Sequence, residues 1–488
     1  MSPDHTTFYW HDYETFGRDA RVDRPAQFAG VRTDAELREI GEPLVAYCQP
    51  TPDFFPDPHS CVLTGITPQH CLRHGWPERV FAERVHAELS RPGTIGVGYN
   101  SIRFDDEFTR HLLWRNLLDP YGREWRDGCS RWDLLDVMRA AWALRPDGIE
   151  WPRGDDGQVS LRLEHLSAAN GLAHAQAHDA LSDVRATIAL ARLLRARQPR
   201  LFDFALALRR RERVMQELGL PRLARAAQPF VHVSGMLGAA RGFVAVMWPL
   251  AQHPRNRNEI IAWDLAHDPR ELVDLRPDQV RARLFVRTHE LPDGVTRLPI
   301  KSVHLNRAPF VLGQVRAVRG VLCERWGLDW GTVERNMQRI MELPDLSGLW
   351  AEVYAAPPVG PEPDVDAALY DGFVGDADRR RLARLRALDP ADPAWREMGF
   401  DDARLGELVF RFRARNHPDT LGADERARWQ AHCRARLLDG AGGATPWHAR
   451  RQQLHQAHAE ARARGDTAAL GVVQALWDYA AELGLPPG

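Results

Sequence analysis

The sequence predicts an α/β chain of two to three domains, and three observations carry that expectation. At 488 residues the chain exceeds what one hydrophobic core usually serves. It opens on a strand signal, residues 7–17 (Thr-Phe-Tyr-Trp-His-Asp-Tyr-Glu-Thr-Phe-Gly), and then mixes strand and helix patterns. Beyond Arg225 short strands separated by Gly and Pro suggest a small barrel-like domain up to about residue 352, and from Asp364 on helical periods dominate, broken by a Gly-rich stretch at Leu438–Trp447.

Composition narrows the class. An apolar content of 44% with 16 Trp is ample for burial, and the six cysteines (Cys48, Cys61, Cys71, Cys129, Cys323, Cys433) form no C-x-x-C pair, which argues against disulfides and structural zinc. No charged-then-apolar leader opens the chain, and the longest apolar run, Phe243–Ala251, is too short to span a bilayer. A cytoplasmic setting without membrane attachment is expected. The formal net charge of −2 means that a polyanion would have to be met by a local groove rather than by a globally basic surface.

Each element follows in order. Thr7–Tyr13 is β-branched and aromatic and reads as a central strand buried on both faces. Gln27–Thr33 and Pro43–Gln49 have strand composition and complete an antiparallel meander with it. Val80, Phe81, Val85 and Leu89 recur at helical spacing up to Pro92-Gly93, after which Thr94–Tyr99 reads as a short strand. Phe104, Phe108, Leu112 and Leu117 mark a second helix with Asp105 in its first turn. Asp133–Leu144 and Leu161–Ala169 are further helices, and another carrying Val184, Ile188, Ala191 and Leu194 begins near Asp179 as its N-cap. Arg197–Arg225 is Arg-rich and helical, and the Pro-rich stretch Ala355–Pro363 closes the barrel-like region.

The chemistry lies in the acids. Side chains alternate along a strand, so Asp12 and Glu14 point to one side, roughly 7 Å apart along the backbone, close enough to hold a common cation. Asp105 follows Phe104 at a helix start, and His178 precedes the helix on which Asp183 sits one turn in. Alternation turns His11 to the face opposite the two acids, which makes it structural.

Taken in order, Asp12-x-Glu14, Asp105 behind Phe104, and His178-x4-Asp183 resemble the DEDD-type 3′ to 5′ exonucleases with the histidine variant of the last motif. The resemblance implies a ribonuclease H-like fold in which four carboxylates (Asp12, Glu14, Asp105, Asp183) surround two Mg²⁺ ions, with Mn²⁺ as a substitute. It also implies that Asp12 bridges the ions and that His178 takes the proton of the attacking water. Leu63–Thr67 looks like the segment that packs on the terminal nucleotide, so Thr64, Gly65, Phe104 and Glu14 are the expected substrate contacts.

Longer words, including residues 11–17, 99–107, 130–137, 231–236, 253–258 and 367–373, extend the resemblance over the full length to the bacterial exonuclease I family. It then implies an exonuclease domain over residues 1–198, an SH3-like domain over 199–352 and a helical domain over 357–488, closing as a clamp for processive digestion of single-stranded DNA in repair and recombination. A monomer is expected. The family docks the acidic C-terminal tail of single-stranded DNA-binding protein, and Arg145, Gln314 and Arg319 align with its pocket, with Phe204 standing where a tyrosine is expected. An exoribonuclease of the same fold and a non-catalytic single-strand clamp are the alternatives.

Overall fold

The computed structural model describes residues 6–172, 179–355 and 364–486. The chain divides into two compact units, the first comprising residues 1–130, 174–188 and 361–488 and the second residues 131–173 and 189–360. Compactness thus cuts the segment 1–198 and groups its first 130 residues with the C-terminal helices.

The first unit is built on β1 (Thr7–Thr15), β2 (Pro25–Thr33), β3 (Leu44–Tyr47) and β4 (Thr94–Gly98). They run in the order β3-β2-β1-β4 within a five-stranded sheet whose last strand, β5 (Ser130–Asp133), stands where the chain passes to the second unit. β2 is antiparallel to β1 and to β3, the expected meander, whereas β4 is parallel to β1. Every residue of β1 except Thr7 and Asp12 is buried, as a strand covered on both faces requires. Gly98 ends β4 at a close approach, since a Cβ there would lie 2.6 Å from Ser101 Cβ and 2.9 Å from the His11 carbonyl oxygen.

Helices α1 (Pro58–Thr64), α2 (Pro68–His74), α3 (Glu78–Leu89) and α4 (Asp105–Arg115) complete the N-terminal part of this unit. α5 (Leu134–Leu144) and α6 (Leu163–Ala169) belong to the second unit, and α7 (Ala180–Arg197) begins in the first. α1 and α2 escape periodicity because each has only seven residues, so both must be recognised by their ends. Asp57 and Thr67 cap them, each with Pro as the first helical residue. Phe16, Phe54 and Phe55 share a core with Trp447, Leu454, Val473 and Leu476 of the C-terminal helices, and the Phe55 and Trp447 rings meet at 5.3 Å. That apolar core is why the helical segment and the first sheet form one unit.

The second unit holds an antiparallel sheet in the order β10-β6-β7-β8-β9, made of β6 (Phe230–Val233), β7 (Val244–Gln252), β8 (Glu259–Asp264), β9 (Ile300–His304) and β10 (Phe310–Leu312). The Arg-rich stretch after α7 folds as helices Pro199–Ala207 and Arg211–Glu217. The Pro-rich boundary at 356–363 lies outside the described residues. No helix among the described residues is long and apolar enough to cross a membrane.

Candidate active site

Three of the predicted acids converge. Carboxylate oxygens of Asp12, Glu14 and Asp183 lie within 4.8 Å of one another. Alternation along β1 puts Asp12 and Glu14 on one face, and a register shift between Glu14 and Thr15 lets the strand bend just past them. Asp183 comes from the first turn of α7, where the Asp179 side chain accepts from Ser182 N at 3.1 Å and the Asp179 carbonyl accepts from Asp183 N at 3.0 Å.

Asp105 enters from the start of α4. Its Oδ1 accepts from the Tyr13 backbone N–H at 3.0 Å, which ties the helix to β1 between the two strand acids. The Thr109 hydroxyl, one turn on, links the Asp105 carbonyl at 2.8 Å with the Tyr13 hydroxyl at 3.0 Å. The neighbouring Asp106 turns away and receives Arg123 Nη2 at 2.7 Å in a fully buried pair.

Electrostatics mark the cluster as electron-rich. Burial, then Asp105, Glu14 and Asp183, push the Asp12 carboxyl well above the usual carboxylate range. Glu14 is pushed up to about 8 by burial and then by Asp183 and Asp179. Among the described residues no arginine or lysine forms an ion pair with either. Like charges gathered in this way repel unless protons or a cation intervene, so the hard oxygen donors fit a divalent metal.

The remaining expected residues fall in several places. His178 lies outside the described residues. Phe104 is the half-buried residue before α4, its ring 5.0 Å from that of Phe108. Thr64 closes α1, and Gly65 follows at φ +71°, a left-handed turn that glycine adopts without strain. His11 is buried on the far side of β1, its Nδ1 at 3.4 Å from the Tyr9 carbonyl, and burial lowers its pKa to about 4 against the pull of Asp106.

In the second unit Arg145 and Phe204 line a cavity of about 390 Å³ together with Arg200, Phe310, Leu312 and Val318. Gln314 and Arg319 do not line it; they are exposed residues on either side of the short turn Val315–Val318. The Arg319 guanidinium carbon sits 4.9 Å from the Trp330 ring centroid.

A second carboxylate group has the same compactness and the opposite character. Asp53, Asp366 and His432 also bring ligand atoms within 4.8 Å, but Arg415 donates to Asp53 at 2.7 Å and to Asp366 at 2.9 Å. Burial would raise Asp53, yet Arg415, His432, Arg24 and Arg436 hold it well below the usual range. Guanidinium groups already fill the role of the cation there. Two polar residues near the active site went unread in the sequence: Asp179 as an electrostatic neighbour of the acids, and Gln27, buried in β2 opposite Glu14. The available signal for Gln27 was an amide among the apolar residues Pro25, Ala26, Phe28 and Ala29 of the same strand.

Family models match in chain order: exonuclease over residues 9–191, exonuclease I SH3-like domain over 209–356 and exonuclease I C-terminal domain over 363–483. Exodeoxyribonuclease I of Escherichia coli K12 is 43% identical over 483 residues, 98% of each chain. Among solved structures, E. coli exonuclease I in complex with a dA16 oligonucleotide superposes with a TM-score of 0.91 at 42% identity, covering 98% of this chain and 100% of that one. The zinc-ion-bound form of the E. coli exonuclease I–single-stranded DNA complex gives 0.91 at 41% identity, with the same coverage. Similarity that runs through all three matched regions at this level means that the chain belongs to the exodeoxyribonuclease I family.

Proposed function

We propose that this protein hydrolyses single-stranded DNA from its 3′ end, processively, releasing nucleoside 5′-monophosphates, as a cytoplasmic monomer acting in DNA repair and recombination. The observation that carries the reading is the meeting of Asp12, Glu14 and Asp183 within 4.8 Å. Asp105 stands beside them, and no cationic side chain pairs with the β1 acids among the described residues.

Asp12, Glu14, Asp105 and Asp183 would hold two Mg²⁺ ions, or Mn²⁺ in their place. Bound there, the pair supplies neutralisation of the scissile phosphate and a more acidic attacking water. A ring nitrogen of His178 takes that water's proton as its oxygen attacks phosphorus, and the bond to the O3′ of the penultimate nucleotide breaks. The leaving O3′ takes up a proton from solvent water, and the terminal nucleotide leaves with its 5′-phosphate. Phe104, Thr64 and Gly65 pack on the terminal nucleotide, and Glu14 contacts it.

A single strand is the natural substrate because the last nucleotide must leave its stack to reach buried carboxylates. Opening a duplex step costs about 0.6–2.2 kcal/mol, whereas a free strand exchanges stacking for protein aromatics. Digesting matched end-labelled DNA and RNA oligonucleotides with and without Mg²⁺ tests the assignment. Mg²⁺-dependent loss of DNA alone is expected; equal loss of RNA would favour an exoribonuclease, and binding without cleavage would favour a passive clamp.

The partner is the acidic C-terminal tail of single-stranded DNA-binding protein, received at the cavity that Arg145 and Phe204 line, with Gln314 and Arg319 exposed on either side of the turn Val315–Val318. Charge-assisted contacts to a carboxylate contribute roughly 1.5–3 kcal/mol, so Arg319→Ala should weaken a tail peptide about tenfold or more. Unchanged peptide affinity would move the pocket elsewhere.

A further inference from the structure

We propose that Gln27 is a positioning residue of the active site, its amide fixing the start of α7, and with it Asp183, against the strand that carries Asp12 and Glu14.

The argument begins with burial. β2 is buried at every position, and Gln27 is only 2% exposed, so its amide must find partners inside the protein. Gln27 stands directly opposite Glu14 in the β1–β2 ladder, and cross-strand partners project to the same face of a sheet. The amide therefore lies on the side of the sheet that holds the acids. Its two ends reach in different directions. Nε2 donates to the Tyr47 hydroxyl at 3.3 Å, on the residue opposite Gln27 in the β2–β3 ladder. Oε1 accepts from the Ala180 backbone N–H at 3.4 Å.

Ala180 is the first residue of α7 and fully buried, and its N–H is one of those the helix itself cannot satisfy. Asp179 caps the same first turn through Ser182 N, so the glutamine and the aspartate divide the helix start between them. Asp183 follows Ala180 by three residues, within the same first turn. Sliding or tilting that turn would carry the Asp183 carboxylate out of the 4.8 Å group. The neighbouring chemistry explains an amide in preference to an acid: it offers a donating NH2 at one end and an accepting oxygen at the other without adding another anion beside Glu14 and Asp179. Both hydrogen bonds, at 3.3 and 3.4 Å, are longer than the usual range of about 2.7–3.2 Å, so they bias a position more than they hold the fold together.

The inference rests on the nuclease reading only through Asp183, and its test separates the two. Gln27→Met keeps the side-chain length and removes both hydrogen bonds; Tyr47→Phe removes only the anchor of the amide. Each full-length variant is compared with wild type in kcat and KM on a single-stranded oligonucleotide, in Mn²⁺ affinity by calorimetry, and in Tm. Residues that orient metal ligands typically govern about 10–100-fold in affinity or activity. Q27M should lose that much in kcat and weaken Mn²⁺ binding, with KM and Tm close to wild type, and Y47F should show the same pattern several-fold weaker. A Q27M protein with wild-type kcat and Mn²⁺ affinity would overturn the proposal, as would a loss that follows a collapse in Tm. Should Q27M not fold, Y47F decides: a several-fold fall in kcat at unchanged KM supports the assignment and a wild-type kcat overturns it. If the wild type bound Mn²⁺ without cleaving DNA, the nuclease reading would fail while the calorimetry still judged Gln27.

Discussion

Two acidic clusters in the first unit look alike by geometry and behave oppositely. Asp12, Glu14 and Asp183 form one, Asp53, Asp366 and His432 the other, each with its ligand atoms within 4.8 Å. Around the second stand Arg24, Arg411, Arg415 and Arg436; burial would raise the Asp366 carboxyl, but Arg415 and Arg411 override it and hold Asp366 far below the usual range. Around the first, the described residues that act most strongly on Asp12 are the acids Asp105, Glu14, Asp183 and Asp179, and proton affinity goes up. The lesson is that a cluster's compactness says little about its role. The sign of the surrounding charge says whether the acids fasten the fold or wait for a cation.

The largest expected effect sharpens that division. Asp12→Asn or Asp183→Asn should abolish hydrolysis, leave single-strand binding largely intact and resist rescue by excess Mg²⁺. Near-normal turnover in either variant, measured on end-labelled oligonucleotide, would break the assignment of the first cluster.

The histidines should divide as the acids do. His178→Ala is expected to cost roughly 10²–10⁴ in turnover with metals still bound, and to remove the limb of the pH–rate profile near the imidazole value of about 6.5. His432, whose Nε2 lies 3.7 Å from Asp53, should affect stability when replaced by Ala and leave kcat of the folded protein alone. A variant of His178 that kept both rate and limb would remove it from the mechanism.

In the second cluster Arg415→Met strips the main partner from two buried carboxylates, a change that typically costs about 3–5 kcal/mol. Denaturant unfolding should register that loss, while activity per folded molecule persists. Loss of activity without loss of stability would mean that this cluster also does chemistry.

The smallest effect is a pair of opposed pH dependences. Asp53 and Asp366 titrate below the unfolded value of about 3.9, so their stabilisation is complete above it and fades as pH falls past it. Glu14, pushed up to about 8, runs the other way: in metal-free protein the folded state binds more protons than the unfolded chain between about 4.3 and 8. Its contribution to stability is therefore lost as pH rises through that window. Tm of chelated protein should decline across it, Mg²⁺ should restore it and Glu14→Gln should blunt the trend. A Tm indifferent to Mg²⁺ over that range would contradict the electrostatic contrast.

Much of this was legible in the residues because it depends on local pattern. Alternation along β1 placed Asp12 and Glu14 together and His11 behind them, and the periods of α4 and α7 put Asp105 and Asp183 in first turns. The antiparallel meander followed from strand composition. β5, only four residues long, was not read as a strand, whereas the helix expected over Asp133–Leu144 is α5, with Asp133 as the cap that accepts from Leu135 N.

What local pattern does not contain is partnership at a distance. Arg415 meets Asp53 across 362 positions, and nothing in either neighbourhood announces the pair. Tertiary structure decided that β4 runs parallel to β1, that the C-terminal helices join the first sheet in one unit, and that Gln27 meets Ala180. The physical reason is that residue type and spacing specify which surfaces must be buried and which charges must be compensated, while only the folded chain specifies by what. In the sequence Asp12 and Asp53 are both simply aspartates; the arginines that distinguish them arrive only on folding.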